Sequence, residues 1–408
     1  MEPFTWNGGE SPVVRAYREA MTRWQHEVPP TPEAHQQQSR TLLAHLAPEQ
    51  TDQAVVGFAH GAAGLLAAHT HYFNGFALLF SIPQGVAVAA CPAPGPESRL
   101  LFHQEQTLWT LRVDQPIPPD WPLHVVLIFS LLRQLTPQKQ PLDIAVYSSA
   151  PAFSQELYLS TLSIALLRCL QAAEPMLSVQ PRHLASMVSS CLGAPFSVAY
   201  LLGAAAPAAQ PGMFLLIDTE TLELLTLEGP APEVLRWLMV DAGCTLLPPP
   251  AFHLQQQELA QRVVEILRRR GFRELTSLRE LAHRDLPRAQ ALLPHRLRPV
   301  VRYLVTENQR VQRMVVAIRN QDWQMLGTLL LMSHAALRHD WQASCAEADL
   351  IVSVAESMSL EGIFGASMNG YGHGVLVAGR PFQLPLFLER MQQSCETHFG
   401  RCPATLLF

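Results

Sequence analysis

The stretch Gly57–Phe76, GFAHGAAGLLAAHTHYFNGF, constrains this 408-residue chain more than any other. Its four glycines permit tight turns and close backbone approach, and the apolar runs beginning at Val55 and Ala77 carry strand character. A glycine-rich loop set between strands is a place where side chains meet a ligand. Here the polar candidates are His69, His71, Tyr72 and Asn74.

Length sets the frame for that loop: 408 residues fit two domains or one large composite domain. Hydrophobic content of 48% and a mean hydropathy of +0.10 provide ample material for cores. The net charge of −5, with no run of like charges, argues against a nucleic acid or a membrane surface held by electrostatics. Lys139 is the sole lysine, so lysine-based catalysis is all but excluded. Seven cysteines without a CxxC pair suit buried free thiols in a reducing compartment, not a disulfide framework or a structural zinc site. MEPFTWNGGE lacks the order of a signal peptide. The weakly charged stretch His183–Ile217 is broken by Pro195, Pro207, Gln210 and Pro211, which would leave kinked or unsatisfied backbone in lipid. The expectation is a soluble cytoplasmic protein.

Along the chain, residues 1–50 read as a lead-in with a proline-bearing linker. Strands are expected near Val55, at Ala77–Ile82 and at Gly85–Ala90, with turns at Gly75 and Pro83, followed by a hairpin over Leu100–Val113 bracketed by prolines. Asp143–Tyr147 reads as a strand entering the loop Ser148–Gln155. The next segment carries Leu157, Thr161, Ile164, Ala165 and Cys169 at helical spacing. A strand, loop and helix in that order is a usual phosphate cradle, yet this loop contains no glycine. FLLIDTETLELLTLEG predicts two strands with a turn at Thr219–Glu220, and Trp237–Asp241 a further strand. Leu254–Arg270 is a helix with arginines in its last turn and Gly271 at C′. Helices over Pro299–Ile318, Trp323–Arg338, Ala346–Ser357 and Leu384–Phe399, with a strand at Val375–Ala378, complete a second α+β half.

RPVVRYLVTENQRV, LLLMSHAALRHDWQASCAEADLIVSVA and GIFGASMNGYGHGVLVAG, in that order, resemble the C-terminal half of the galactokinases, which are GHMP small-molecule kinases. In that register Gly57–Phe76 resembles the family's first motif, APGRVNLIGEHTDYNGG, and the resemblance runs from about Val55 to the C-terminus. It implies an α+β, two-lobed fold: an N-terminal lobe over 1–205 like domain 2 of ribosomal protein S5 and a ferredoxin-like C-terminal lobe over 206–408. Sugar and nucleotide would lie in the cleft between them.

The resemblance also implies where site residues fall, and many are replaced. The arginine that stabilises the transferring phosphoryl group falls on Ala62, and the sugar-contacting glutamate and aspartate fall on Ala68 and His71. His69, Tyr72 and Asn74 remain as sugar-cleft candidates. The phosphate loop PxGxGLSSSA falls on the segment from Pro151 through 165, where Phe153, Gln155, Leu157, Tyr158 and Leu159 replace glycines and serines. The general base falls on Phe196, which cannot accept a proton. The glycine motif falls on Asn369–Val375, where Asn369, Tyr371 and His373 would line the former nucleotide loop. Arginine, base and phosphate loop together supply charge neutralisation and positioning, the main needs of phosphoryl transfer.

The expectation is therefore a galactokinase-like protein without catalysis, sensing a sugar or related small ligand or acting through protein contacts. No catalytic residue, metal or cofactor is assigned. The alternative is a divergent Mg–ATP-dependent kinase rebuilt around His69, His71 or Asp143. A histidine metal site from His60, His69, His71 and His373 is weighed against ordinary hydrogen-bonded histidines, and the ordinary reading is favoured. Tyr303, Glu307, Asn308 and Arg310 read as scaffold, with Glu307 and Arg310 able to pair as i,i+3 neighbours.

Overall fold

The computed structural model describes residues 31–66, 69–105, 107–112, 114–136, 140–206, 210–245, 248–370 and 374–408. Helix α1 (Pro32–Leu46) is capped by the Thr31 side chain. It leads into strands β1 (Val55–Leu66), β2 (Phe76–Pro92), β3 (Glu97–Phe102) and β4 (Leu108–Arg112). Helix α2 (Leu123–Leu135), strand β5 (Leu142–Ser148) and helices α3 (Gln155–Ala173), α4 (Pro181–Leu192) and α5 (Val198–Ala205) follow. Strands β6 (Phe214–Asp218) and β7 (Leu224–Leu227) complete a first sheet in the order β4-β3-β5-β2-β6-β7, with β1 on the other edge of β2.

The long β2 is the axis of this sheet. Its partners are β1 on one side, and β6 and β5 in turn on the other. The two strands expected at Ala77–Ile82 and Gly85–Ala90 are one strand, because Pro83 lies where β1 shifts register between His60 and Ala62. A bulge tolerates the missing proline donor, so the turn signal at Pro83 does not end the strand. Helix α3 packs on β1 and is buried on nearly every face from Glu156 to Leu167. Its all-round apolar composition reflects that central position. On the opposite face α1 packs Leu43 and Ala47 against Ala89, Cys91 and Ala145.

A second sheet, in the order β11-β8-β10-β9, contains β8 (Arg236–Asp241), β9 (Ile363–Met368), β10 (Gly374–Gly379) and the short β11 (Thr405–Leu407), all antiparallel. Its helices are α6 (Pro250–Arg269), α7 (Leu286–Leu292), α8 (Arg298–Arg319), α9 (Trp323–Ala336), α10 (Ala346–Ser357) and α11 (Leu384–Phe399). The α9 register ends at Ala336 in a π-turn, Leu337–Trp341, that carries Trp341 inward. One apolar cluster joins the first sheet to alternate residues of β8 and β10, such as Trp237, Met239 and Leu376, and a second holds the intervening residues, such as Leu238, Val240 and Val377, with the helices of the second sheet.

One expectation from composition is corrected. Cys244 and Cys345, 101 residues apart, are joined by a disulfide, whereas Cys91, Cys169, Cys191, Cys395 and Cys402 are free. The fold brings the turn after β8 against the start of α10, a proximity that cysteine spacing does not encode. No helix is long and apolar enough to cross a membrane among the described residues.

Candidate functional site

The glycine-rich stretch folds as strand, short 3₁₀ turn (Thr70–Phe73) and strand. His69 and Asn74 bracket the turn with left-handed backbone, φ 64° and 56°, a conformation that asparagine tolerates better than most residues. The turn divides the four sugar-cleft candidates into two environments.

His69 and Tyr72 point inward. His69 Nδ1 lies 3.2 Å from the Tyr72 hydroxyl, and the imidazole stacks on Trp341 at 5.1 Å and His253 at 5.5 Å, with Tyr303 behind Trp341 at 4.7 Å. Burial holds the His69 imidazole well below its usual pKa, and the neighbouring His253 and His71 add to the shift. His69 is a neutral core histidine. It is packed into an aromatic stack drawn from α6, α8 and the π-turn.

His71 and Asn74 instead line a cavity of about 510 Å³. Helix α4 contributes Arg182, Ser186, Ser189 and Ser190, which recur at helical spacing along one wall. Phe196, Thr219 and Gln257 also line it, and it is open to solvent. The walls are tied together: Arg182 Nη2 donates to the Thr219 and Glu220 carbonyls at 2.8 and 2.7 Å, and the Phe196 amide donates to Ser189 Oγ at 2.9 Å. Thr219 Oγ1 donates to the Gly75 carbonyl at 2.7 Å, anchoring the turn. His71 and Arg182 are the ionisable groups of this lining, and no carboxylate belongs to it among the described residues. Burial pushes His71 down to about 3, with the Pro195 backbone opposing the shift and His253 adding to it. The cavity presents hydroxyls, amides and a neutral imidazole, a set suited to hydroxyl groups and lacking a base that works near neutral pH.

Ala62 and Phe196, on which the resemblance places the family's arginine and base, are both buried. Ala62 is fully buried on β1, and a Cβ placed on Gly203 of α5 would stand 2.9 Å from its methyl. A side chain at 203 would crowd that methyl, so the glycine lets α5 approach β1 closely. Phe196 is 5% exposed, at the cavity wall before Ser197 caps α5.

The segment from Pro151 enters α3 at Gln155, so Leu157 and Leu159 belong to the helix and to the first core. Ser154, Glu156, Tyr200, Asn369 and Gly370 meet at its N-terminus. Tyr200 Oη donates to Asn369 Oδ1 at 2.7 Å, and Asn369 Nδ2 reaches Ser154 Oγ at 3.5 Å. Gly370 has φ 61°, and a Cβ there would lie 1.7 Å from Glu156 Oε2. The Glu156 carboxylate thus occupies the space beside the glycine turn, in the first helical turn where the macrodipole favours an anion. Burial and this carboxylate both raise the Tyr200 phenol well above its usual pKa. Sequence reasoning assigned no role to Glu156 or Tyr200. A glutamate two residues after a serine at a helix start was the available signal. Ala68, Tyr371 and His373 lie outside the described residues.

The structure gives scaffold contacts to the remaining candidates. Glu307 pairs with Arg310 at 2.7 Å and accepts from Ser333 Oγ at 2.7 Å, all three buried, while Asn308 Oδ1 accepts from the Phe76 amide at 2.9 Å. Asp143 is held by Arg99 through two bonds of 2.7 and 2.6 Å. Among the described residues the one cluster of three potential metal donors is Cys244, Cys345 and Glu347, two of them disulfide-bonded. His60, His69 and His71 form no such cluster.

No family model matches the sequence. Galactokinases do: that of Thermotoga petrophila is 26% identical over 366 residues, covering 84% of this chain and 94% of that protein. That of Chloroflexus aggregans is 27% identical over 326 residues, covering 78% and 81%. Among solved structures, Lactococcus lactis galactokinase complexed with galactose superimposes with a TM-score of 0.74 at 16% identity, over 90% of this chain and 95% of that one. A mevalonate kinase gives 0.52 at 12% identity, over 86% and 98%. The chain is a divergent galactokinase homologue built on the α+β fold of the GHMP small-molecule kinases.

Proposed function

We propose that this protein binds a small, neutral, hydroxyl-rich ligand of the sugar class without phosphorylating it, and acts as a sensor through that binding. The observation that carries the reading is the contact of Glu156 with Gly370 beside the Tyr200–Asn369–Ser154 chain. By resemblance these segments correspond to a phosphate loop and a nucleotide-side glycine turn. In this chain their own side chains fill the intervening space, with a carboxylate where a phosphate would need positive surroundings. Phe196 and Ala62 remove base and arginine from the same cleft.

The cavity bearing His71 and Asn74 supports the binding half of the proposal. Its polar groups come from four separate segments, yet they converge on one volume large enough to admit a monosaccharide. The rebuilt-kinase alternative would draw on His69, His71 or Asp143. Those groups are respectively a stacked core imidazole, a neutral imidazole and a carboxylate committed to Arg99. None is poised as a general base.

A thermal-shift panel tests the reading. Hexoses such as galactose should stabilise the protein, with the shift lost in Asn74→Ala or Ser190→Leu, whereas Mg–ATP should give none. A panel in which Mg–ATP stabilises and no sugar does would sink the proposal.

A further inference from the structure

Positive charge is concentrated in one segment of the chain. Between Arg262 and Arg302 there are eleven arginines and four carboxylates, a net of +7 in a chain whose total is −5, so the remaining residues sum to −12. Part of that charge is neutralised internally. Arg279 pairs with Asp218 and Glu220, Arg302 with Asp340, and Arg262 with Glu265, while Arg284 lies 4.0 Å from Asp285.

Seven arginines of this segment are left without an ion pair among the described residues, Arg296 and six that lie about the end of α6, α7 and the start of α8. Arg268–Arg270 end α6, Arg273 follows, Arg288 lies on α7 and Arg298 opens α8, and all six are exposed. Arg270 Nη1 donates to the Leu292 carbonyl at 3.0 Å, Arg298 Nε to the Leu293 carbonyl at 3.2 Å, and Arg288 Nη2 to the Gly271 carbonyl at 3.5 Å. The Arg288 guanidinium also sits 4.9 Å from the Phe272 ring centroid. These contacts bring the ends of α6 and α7 and the start of α8 together. None of the six forms an ion pair among the described residues. Glu274, next to Arg273, subtracts a single charge.

Helix stability does not account for this arrangement. The macrodipole favours cations at the end of α6, but Arg298 stands at the start of α8, where the same dipole opposes positive charge. Six uncompensated guanidiniums repel one another, a cost that a docked anion removes.

We propose that this surface docks an acidic segment of a partner protein. Guanidinium forks match carboxylates in paired hydrogen bonds. Those of Arg270, Arg288 and Arg298 are already oriented by backbone carbonyls, which lowers the ordering cost on binding. The charge of the rest of the molecule selects the length of the anion. A nucleic acid duplex would run past the patch onto a surface of opposite balance, whereas a short acidic peptide meets the arginines alone. This inference does not depend on the ligand reading of the cavity.

The test is fluorescence anisotropy of the full chain with labelled octaglutamate, octaglutamine and a 20-base-pair duplex. Octaglutamate should bind, weaken as salt rises, and bind at least tenfold less well to Arg268→Gln/Arg269→Gln/Arg273→Gln, three side chains without hydrogen bonds to lose. Arg313→Gln/Arg319→Gln, which removes exposed charge from the other end of α8, should bind as the parent does. Melting curves confirm that both variants are folded. If triple neutralisation compromises folding, charge reversal at Arg269 alone provides the same comparison. Absence of octaglutamate binding, equal loss in the two variants, or tighter binding of duplex than of peptide would overturn the proposal.

Discussion

Tyr200 on α5 donates a 2.7 Å hydrogen bond to Asn369 at the end of β9, and both side chains are at least 97% buried. This bond joins α5, which follows Phe196, to the glycine turn after β9. Tyr200→Phe would leave the Asn369 carbonyl oxygen without that donor in the interior. Loss of about 1–3 kcal/mol is expected. It should be read as a lower urea midpoint at unchanged slope, with sugar binding retained.

The buried histidines make stability acid-sensitive. Burial pushes His71 down to about 3 and His253 down to about 4 in the folded chain, below the value near 6.5 that an unfolded histidine takes. The unfolded state therefore binds more protons between those values. Their contribution is complete above about pH 6.5 and is lost as pH falls toward the folded values. The midpoint of urea unfolding should drop between pH 6.5 and 4.5. His71→Asn should flatten that dependence, and an unchanged slope of stability against pH would contradict the assignment.

The Cys244–Cys345 bond closes a loop of about a hundred residues that contains α6 to α9. Cys345→Ser should cost on the order of 2–4 kcal/mol. Mass spectrometry after alkylation without reductant should find these two cysteines protected, and the exposed Cys402 modified.

Restoring one catalytic group should restore nothing. Phe196→Asp supplies a carboxylate at the family's base position, yet Ala62 remains an alanine packed against Gly203 and Glu156 remains beside Gly370. No ADP release above background is expected from that variant with galactose and Mg–ATP. Turnover there would show that the nucleotide region is open after all.

Much of the scaffold was legible in the sequence. Ala346–Ser357 and Leu384–Phe399 have the bounds that periodicity gave, and the paired strands around Thr219–Glu220 form as the turn residues require. Pro83 misled because a proline signal cannot distinguish a turn from a bulge in a long strand. The disulfide and the stack of His69 on Trp341 join residues 101 and 272 positions apart, and no local pattern reports such pairings. The departures from the resembled motifs at Ala62 and Phe196 could be named because a motif register existed to compare them with. Glu156 was not, because its meaning depends on Gly370, more than two hundred residues away.

The central claim is that this galactokinase homologue no longer accommodates a nucleotide. Isothermal titration of the protein with Mg–ATP in the presence of galactose tests it most directly. The account predicts no saturable heat with Mg–ATP and no ADP formed on prolonged incubation. Stoichiometric Mg–ATP binding accompanied by galactose-dependent ADP release would contradict it.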